Sequence, residues 1–322
     1  MTPSQSPAQA PLQANAQAPS HLLPPTMQVF ERGWLSSNNV LFITPQATAL
    51  VDSGYCTHAA QTVALVAHAL DGRRLDRLIN THLHSDHCGG NAALQEAHAC
   101  RTTIPAADAD AVRHWDADAL TFIATGQQCP RFTFDDTLQG GEVLLLGGLS
   151  WQVLGAPGHD PHALVLHCEE ARILISADAL WENGFGVIFP ELDGASGFAE
   201  TRATLELIAG LDIDLVIPGH GAPFVDVRGA LSRARSRIDY LAADPVRNAQ
   251  NAVKVLLKFL LLEHQQIPLA QVPGLLSDIR LFRESNRRFL HLPEDALASW
   301  AVAQLKRVGA ARSDGIMLTN AD

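Results

Sequence analysis

One short stretch carries four side chains that can bind a metal ion, and it constrains the chain more than any other feature. Residues 81–91 read THLHSDHCGGN and follow a short predicted strand. The potential ligands in this stretch are His82, His84, Asp86 and His87. In an extended segment alternate side chains point the same way, so His82 and His84 can hold one ion together. The next turn can direct Asp86 and His87 towards a neighbouring point. Because imidazole and carboxylate groups are common zinc ligands, the run predicts a metal site.

Three more candidate ligands each follow a short apolar strand further along the chain. They are His159, Asp178 and His220. Strands are predicted at residues 40–44, 47–52, 78–80, 142–146, 151–155, 163–167, 172–176 and 215–218, and helices at 57–70, 106–119 and 198–209. In a layered α/β fold the carboxyl ends of such strands gather at one edge, where ligands bind. We therefore expect all seven side chains to meet there.

Five segments in this order carry a family resemblance. They are Val51-Asp52-Ser53-Gly54, THLHSDHCGGN at 81–91, Ala156-Pro157-Gly158-His159, Ser176-Ala177-Asp178 and Pro218-Gly219-His220-Gly221. Together they resemble the metallo-β-lactamase superfamily of metal-dependent hydrolases. The resemblance covers roughly residues 27–226. It implies an α/β fold of the αββα type, in which two β-sheets pack together with helices on both outer faces.

The resemblance also implies a division of the site residues between two metal ions. His82, His84 and His159 would hold the first ion, whereas Asp86, His87 and His220 would hold the second. Asp178 would bridge the two ions, and Asp86 is in addition the residue assigned to catalysis. Two further residues are candidates for supporting roles. Asp52 would orient a ligating histidine, and His162 would face the pocket as a substrate contact or a support for the ligands.

The implied function is hydrolysis by a hydroxide that bridges two divalent metal ions. The substrate would be a small activated carbonyl compound, namely a thioester, an ester or a lactone. Zinc is expected, although the same His/Asp set accepts iron or manganese. An aspartate at position 178 and the absence of a cysteine ligand favour the thioester, ester and lactone hydrolases, which include glyoxalase II, over true β-lactamases. The segment after His159 is one residue shorter than is usual in glyoxalase II, and no glutathione-binding set is recognised.

Three other functions remain open at this stage. A nuclease could use the same ions on a phosphodiester, and a mononuclear iron enzyme of this fold could oxidise persulfides. The third alternative is a binding module with a structural metal. Seven candidate ligands that include carboxylates fit an open catalytic site better than a closed site with four ligands.

The chain divides into three predicted parts. Residues 1–25 contain no Asp, Glu, Lys or Arg and predict a disordered tail. Residues 26–226 form the catalytic domain. Residues 227–322 form a small, mostly helical module, and a terminal hairpin around Asp314-Gly315 makes it resemble a winged helix.

An arginine stripe is predicted in this C-terminal module. Arg280, Arg283 and Arg287 share one helix face at their spacing. The opposite face carries Leu281, Phe282, Ser285 and Phe289. The stripe could be a solvated surface, it could attract an anionic substrate, or it could bind a phosphate backbone.

Charge and composition limit the partners. The net charge is −11, with −15 on residues 1–225 and +4 on residues 226–322, which argues against general nucleic-acid binding. No apolar run is long enough to predict a transmembrane helix. Five cysteines without a CxxC pair indicate a reducing compartment, so we expect a cytoplasmic protein with a small-molecule substrate. Self-association into a homo-oligomer is left open.

Overall fold

Two β-sheets packed face to face form the centre of the protein, and helices cover both outer faces. The computed structural model describes residues 22–321, so most of the predicted disordered tail lies outside the described residues. The arrangement confirms the predicted αββα sandwich. Within residues 22–321 no helix is both long enough and apolar enough to cross a membrane.

The first sheet has six strands that follow one another in chain order. They are β1 (Met27–Phe30), β2 (Asn39–Ile43), β3 (Thr48–Val51), β4 (Arg77–Ile79), β5 (Arg101–Pro105) and β6 (Asp136–Leu138). The first three strands pair antiparallel, and β3 to β6 pair in parallel. The sequence predicted β2, β3 and β4 but not the other three strands. Because β3 and β4 run in parallel, the segments that follow them leave the sheet at the same edge.

The second sheet has five strands, which are β7 (Val143–Leu146), β8 (Leu149–Gly155), β9 (Leu164–Cys168), β10 (Ile173–Ala177) and β11 (Leu215–Pro218). Their order across the sheet is β11-β10-β9-β8-β7. All five lie where the sequence predicts strands. The pairs from β7 to β10 are antiparallel, whereas β10 and β11 are parallel. The strands β8, β10 and β11 therefore end at the same edge of this sheet.

The space between the sheets is filled by apolar side chains from both. Trp151 of β8 is fully buried and contacts the ring of Phe42 of β2 edge-on, with 5.4 Å between the ring centroids. Strands β9, β10 and β11 are buried along their whole length. Strands that are covered on both faces are apolar on both faces, and this explains why the sequence shows continuous apolar runs there.

Helices cover the outer faces of the sandwich. On the first sheet lie α1 (Ala59–Leu70) and α3 (Asn91–His98), and on the second sheet lie α7 (Phe198–Ala209) and α8 (Val227–Ala242). Short helices lie in the connections: α2 (Ser85–Cys88), α4 (Ala109–His114), α5 (Phe122–Thr125) and α6 (Pro190–Asp193). The helix predicted at 106–119 was too long, because Trp115 adopts a left-handed conformation with a φ of 56° and ends α4.

The remaining elements form the C-terminal region. They are α9 (Pro245–His264), β12 (Gln266–Pro268), α10 (Val272–Asp278), α11 (Arg280–Ser285), α12 (Glu294–Arg307), β13 (Ala311–Ser313) and β14 (Met317–Asn320). Strands β13 and β14 confirm the predicted terminal hairpin, and β12 adds a third strand that was not predicted. The likeness to a winged helix and the division at residue 226 stay predictions. The buried side chains of α8 pack with those of the second sheet.

Polar contacts join the C-terminal region to the sandwich and to itself. The hydroxyl of the buried Tyr55 donates to Glu263 of α9 at 3.1 Å and accepts from the Gln128 amide at 3.2 Å. The amine of Lys258 donates to the carbonyl oxygens of Ala310 and Ala321, at 3.0 and 2.7 Å. The long helix α9 is therefore held on both sides.

Candidate metal centre

The structure brings the seven predicted ligands together as two adjacent groups. The first group is His82, His84 and His159, and the second is Asp86, His87, Asp178 and His220. Within each group the potential ligand atoms all lie within 4.8 Å of one another. At most 9% of the side chain is exposed at each of His82, His84, His87, His159 and Asp178, and 4% is exposed at His220. The grouping has the same membership as the sequence predicted, with Asp178 placed in the second group.

The first sheet positions the four residues of the HxHxDH run. After β4 the chain bends at Thr81, and His84 has extended φ and ψ angles of −63° and 148°. The chain then enters α2, so Asp86 and His87 occupy the first turn of that helix. The extended part and the helical turn thus present different pairs of side chains to the two groups, as the spacing predicts.

The second sheet supplies the other three candidate ligands, each just after a strand end. His159 follows β8, Asp178 follows β10 and His220 follows β11. Directly before Asp178, Ala177 has a φ of 46°, which is costly for a residue with a Cβ atom. The pairing of β10 with β11 is also irregular at this point. Strain is therefore retained where the chain turns Asp178 into the site.

The carboxylate of Asp178 lies between the two groups. Its Oδ2 atom is 3.4 Å from Nε2 of His159 in the first group. Its Oδ1 atom is 3.4 Å from Nε2 of His87 in the second group and accepts a hydrogen bond from Nε1 of Trp181 at 3.1 Å. One oxygen therefore faces each group, which is the arrangement that a bridging carboxylate needs.

Hydrogen bonds on their outer sides orient two of the histidines. Nδ1 of His87 donates to the carboxylate of Asp52 at 2.8 Å, and Nδ1 of His159 donates to the carbonyl of Val187 at 2.5 Å. Asp52 also accepts from the amide and the hydroxyl of Thr81, at 2.9 and 2.8 Å. With Nδ1 protonated, the lone pair of each ring is on Nε2, which points into the site.

The buried donor atoms of the site fit divalent metal ions. Nε2 of His82 and Nε2 of His87 are buried and have no hydrogen-bond partner within the described part of the chain. Buried polar atoms are usually paired, so orphaned atoms that converge on one point call for a ligand. Nitrogen and carboxylate oxygen are the donors that zinc, iron and manganese accept. No cysteine belongs to either group.

The charge states of the first group favour metal binding. Burial, together with the neighbouring His87 and His84, holds the pKa of His82 well below its usual value. Burial likewise lowers the pKa of His84, and burial and His84 lower the pKa of His159 to about 4. These three imidazoles are therefore neutral at neutral pH, and a metal ligand must be unprotonated.

The carboxylates of the second group are ionised. Burial would raise the pKa of Asp178, but the nearby His220 and His87 outweigh it and hold that pKa well below its usual value. Burial is outweighed in the same way at Asp86, whose pKa is lowered by His220 and His87. Oδ2 of Asp86 lies 3.0 Å from Nε2 of His220. Burial would lower the pKa of His87, but Asp178 and Asp52 outweigh it and raise that pKa well above its usual value, so an ion at the second group must displace a proton from His87. The site thus combines neutral imidazoles in the first group with negative carboxylates in the second.

His162 lies in a different place from the other predicted site residues. Its Nδ1 atom is 2.6 Å from Oδ1 of Asp108, and its backbone amide donates to Asp160 at 2.7 Å. It is not among the described residues that line the cavity over the two groups. The structure therefore pairs the side chain of His162 with Asp108, and its amide with Asp160, whose Oδ2 atom lies 3.5 Å from Nε2 of His84.

A cavity of about 310 Å³ opens over the two groups. Five of the seven candidate ligands line it, namely His84, Asp86, His159, Asp178 and His220. Its walls carry aromatic side chains, which are Trp34, Trp181, Phe185, Phe189 and Phe259. Trp34 stacks on the ring of His220, with 5.5 Å between the ring centroids and 8° between the planes. The shape and size fit a small molecule with an apolar part.

The cavity wall also contains residues that sequence reasoning missed. Helix α9 contributes Val255 and Phe259, and α8 contributes Arg237. Arg237 had a signal in the sequence. It takes the third place of the series Ala230, Ala234, Arg237 and Leu241, whose spacing is that of one apolar helix face. Trp34 and Trp181 lie in loops and had no such signal.

The predicted arginine stripe does not reach the cavity. Arg280 pairs with Asp193 at 2.9 Å and with Asp118 at 3.3 Å, Arg287 pairs with Glu284 at 2.6 Å, and Arg283 donates to the Ser277 carbonyl. The helix continues beyond Ser285 as a π-helical turn, Asn286–Leu290, which changes the predicted spacing. Among the described residues, none of the three arginines lines the cavity. The opposite face is buried as predicted at Leu281, Phe282 and Ser285.

The fold and the two donor groups define an αββα sandwich with a clustered His/Asp site at one edge. The family model described as "Metallo-beta-lactamase superfamily" matches residues 32–220, which is more than half of the chain. The chain therefore belongs to the metallo-β-lactamase superfamily, and the predicted membership is confirmed.

Curated relatives and solved structures are consistent with this family. The chain is 34% identical over 145 residues to the hydroxyacylglutathione hydrolase of Rhodopseudomonas palustris (strain ATCC BAA-98 / CGA009), covering 44% of this chain and 47% of the relative. It is 30% identical over 156 residues to the probable metallo-hydrolase YqgX of Bacillus subtilis (strain 168), covering 47% and 70%. The chain thus spans about half the length of the hydroxyacylglutathione hydrolases that it matches.

A solved structure resembles nearly the whole chain. The metallo-beta-lactamase family protein TTHA1429 from Thermus thermophilus matches with a TM-score of 0.55 and 20% identity, covering 92% of this chain and 99% of that one. At this identity the match concerns the fold alone.

Proposed function

We propose that the protein is a metal-dependent hydrolase that cleaves a small activated carbonyl compound, with a thioester as the first candidate and an ester or a lactone as the others. The observation that carries the proposal is the carboxylate of Asp178, which offers one oxygen to each of two complete donor groups. The cavity over those groups admits a small molecule. The family membership and the names of the relatives support hydrolysis.

The chain supplies enough donors for two divalent ions, for which zinc is our first candidate. His82, His84 and His159 would hold one ion, Asp86, His87 and His220 the other, and Asp178 both. When bound, such ions lower the pKa of water and polarise a carbonyl oxygen. Asp52 would keep the ring of His87 in one orientation by accepting its Nδ1 proton. The carbonyl of Val187 would do the same for His159.

Asp86 is proposed to act directly in catalysis as well as in binding. Its side chain lines the cavity and is 14% exposed, against 6% for Asp178, so it is the more accessible of the two carboxylates of the second group. His220 and His87 keep it ionised. In that state it accepts a hydrogen bond from the attacking water and orients it towards the carbonyl carbon.

The aromatic walls favour a substrate with an apolar part next to the carbonyl. Trp34 and Trp181 contact each other edge-on and both contact the ring of His220. They would exclude water from one side of the reacting group, which strengthens the electrostatic interactions there. The names of the relatives favour a thioester among the three carbonyl classes. A cytoplasmic location remains a prediction.

Two measurements on one sample test this proposal. The metal content per chain is determined by elemental analysis, and hydrolysis is measured on a panel of thioesters, esters, lactones and a β-lactam. We expect two ions per chain and the highest kcat/KM on a thioester. Hydrolysis of RNA or DNA but of no carbonyl compound would favour the nuclease, and a single iron with oxygen consumption on a persulfide would favour the oxygenase. Either result would overturn the proposal.

A further inference from the structure

Arg237 of α8 enters the cavity from the side of the second sheet. It is half-buried, and its guanidinium carbon lies 5.4 Å from the centre of the Phe185 ring. Gly184, with a φ of 127°, leaves room for the guanidinium group, because a Cβ atom there would lie 3.0 Å from Nη1. The ring and the glycine together hold the guanidinium group in one place at the cavity wall.

Among the described residues, no carboxylate pairs with this guanidinium group. Within residues 22–321 it makes no hydrogen bond and no ion pair, although it offers five donors. Its neighbours on the same helix are engaged: Arg233 pairs with Asp226 at 3.2 Å, and Arg235 pairs with Glu206 at 2.9 Å. A half-buried arginine that faces a cavity without an acceptor is a candidate anion site, because such a charge is costly to keep unpaired.

A second cation adds to the positive potential. Lys254 of α9 is half-buried, and burial followed by the charge of Arg237 lowers its pKa. Burial alone lowers the pKa of Arg237. Lys258 also lines the cavity, and its amine donates to acceptors of the C-terminal strands. The cationic residues that line the cavity are therefore Arg237 of α8 and Lys258 of α9, and Lys254 is close enough to Arg237 for the two charges to interact.

We propose that Arg237 binds an anionic group of the substrate, a carboxylate or a phosphate, and so selects thioesters or esters that carry such a group. The inference rests on the proposed function, since it names the substrate class of the same site. A guanidinium group binds oxyanions through two parallel hydrogen bonds, and this geometry suits both anions. Arg237 and the candidate ligands line one cavity whose walls are largely aromatic, so the substrate would join its anion to the reacting carbonyl through an apolar segment.

The anion could belong to either half of the substrate. A carboxylate would end the acyl chain, whereas a phosphate would belong to the leaving thiol. Two pairs of probes distinguish these sources. The first pair consists of two thioesters of the same uncharged aryl thiol. Their acyl chains have equal length and end in a methyl group in one and in a carboxylate group in the other. The second pair consists of acetyl thioesters of pantetheine and of 4′-phosphopantetheine.

The variants are Arg237→Gln, Arg237→Lys and the matched control Arg235→Gln, which removes a partly exposed arginine two residues away that lies outside the cavity. In Arg237→Gln, KM for the anionic member of one pair should rise about 10- to 100-fold, the range expected for a lost charged hydrogen bond. The uncharged member should change less than about twofold. Arg237→Lys should show a smaller rise in KM than Arg237→Gln, because lysine keeps the positive charge but lacks the two parallel N–H donors of the guanidinium group. The control should match the wild type.

An equilibrium measurement separates this inference from the proposed function. Glutarate and inorganic phosphate are titrated at constant ionic strength while tryptophan fluorescence is recorded, since Trp34 and Trp181 line the cavity. Binding of one probe should weaken at least about tenfold in Arg237→Gln. If the wild type hydrolyses no carbonyl compound but this weakening is seen, the anion site stands and the proposed function fails. If the variant affects charged and uncharged substrates equally, or binds both probes like the wild type, the anion site is wrong.

Discussion

Nδ1 of His87 and Oδ2 of Asp52 lie 2.8 Å apart, and this contact connects helix α2 to the residue that follows strand β3. Asp52 ends the β3 segment with a φ of 59°, a conformation that is costly for a residue other than glycine. In that conformation it accepts three hydrogen bonds, two of them from Thr81. The pairing of Val51 with Ile79 sets the distance between the two segments. The backbone at the edge of the sheet thus fixes the carboxylate of Asp52 next to His87, on the side of the ring that faces away from the site.

The first prediction concerns this contact. Asp52→Asn should weaken metal binding at the group that contains His87 about 10- to 100-fold, because a neutral amide orients the ring less strongly and cannot accept all three hydrogen bonds. A competition titration with a chromophoric chelator measures the affinity of each ion. The control is Asp136→Asn, which removes a partly exposed partner of Arg101. Equal affinities in the wild type and Asp52→Asn would show that Asp52 is only a turn residue.

The second prediction concerns metal stoichiometry. We expect two ions per chain, the loss of about one ion in His84→Ala, and the loss of one or both in Asp178→Ala, whose carboxylate lies between the groups. Elemental analysis after dialysis measures the content. His68→Ala, on an exposed position of α1, serves as the control. A single iron per chain that is unchanged by Asp178→Ala would contradict the dinuclear assignment.

The third prediction uses the space around Gly219. A Cβ atom at this position would lie 2.2 Å from Oδ1 of Asp178 and 3.0 Å from Cε1 of His87. Gly219→Ala must therefore displace both side chains, and we expect loss of at least one ion while the circular dichroism spectrum is retained. Gly274→Ala is the control, because nothing lies within 4 Å of its Cβ position. Full metal content in Gly219→Ala would mean that Asp178 is not a ligand.

Most of the fold and the seven candidate ligands could be predicted because their signals are local. Apolar runs that are followed by His or Asp indicated β4, β8, β10 and β11. The spacing within the HxHxDH run indicated that its side chains point in two directions, one towards each metal ion. Strands β5 and β6 were not predicted because they are short and partly polar. Neither a continuous apolar run nor an alternation of apolar and polar residues distinguishes them from loops.

Side-chain contacts between distant segments could not be predicted. His162 was expected near the pocket because it follows His159 by three residues, yet its partner Asp108 comes from a segment that is 54 residues away. The arginines from 280 to 287 were expected to share a free face, yet the partners of Arg280 are on two other segments. In both cases the position of the side chain depends on a partner from a distant segment, and local spacing in the sequence carries no information about such partners. The aromatic walls depend on loops for the same reason.

The fourth prediction concerns the junction of the sandwich with α9. Tyr55→Phe removes the donor to Glu263 and the acceptor of the Gln128 amide in a buried environment. We expect the free energy of unfolding to fall by about 1–3 kcal/mol, because a buried amide is left without a partner. Urea unfolding measures it. The other tyrosine provides the control, since Tyr240 is 58% exposed and Tyr240→Phe should cost less than about 0.5 kcal/mol. Equal losses in the two variants would contradict the role given to the junction.

The last prediction is a pH dependence at His162. The hydrogen bond to Asp108 raises the pKa of His162 more than partial burial lowers it. The folded state therefore binds the proton more tightly than the unfolded state, in which the pKa is about 6.5. The resulting stabilisation is fully present below about pH 6.5 and is lost as the pH rises through the higher pKa of the folded state.

Comparison of the wild type with His162→Gln tests this sign. The urea midpoint of the wild type should exceed that of the variant more at pH 6 than at pH 9. The side chain is 40% exposed, so solvent screening limits the expected difference to less than about 1 kcal/mol. His114→Gln, an exposed change on α4, is the control and should show no such trend. Because His162 does not line the cavity, KM should stay the same in His162→Gln. A changed KM with an unchanged pH trend would instead place His162 in contact with substrate, as the sequence alone had predicted.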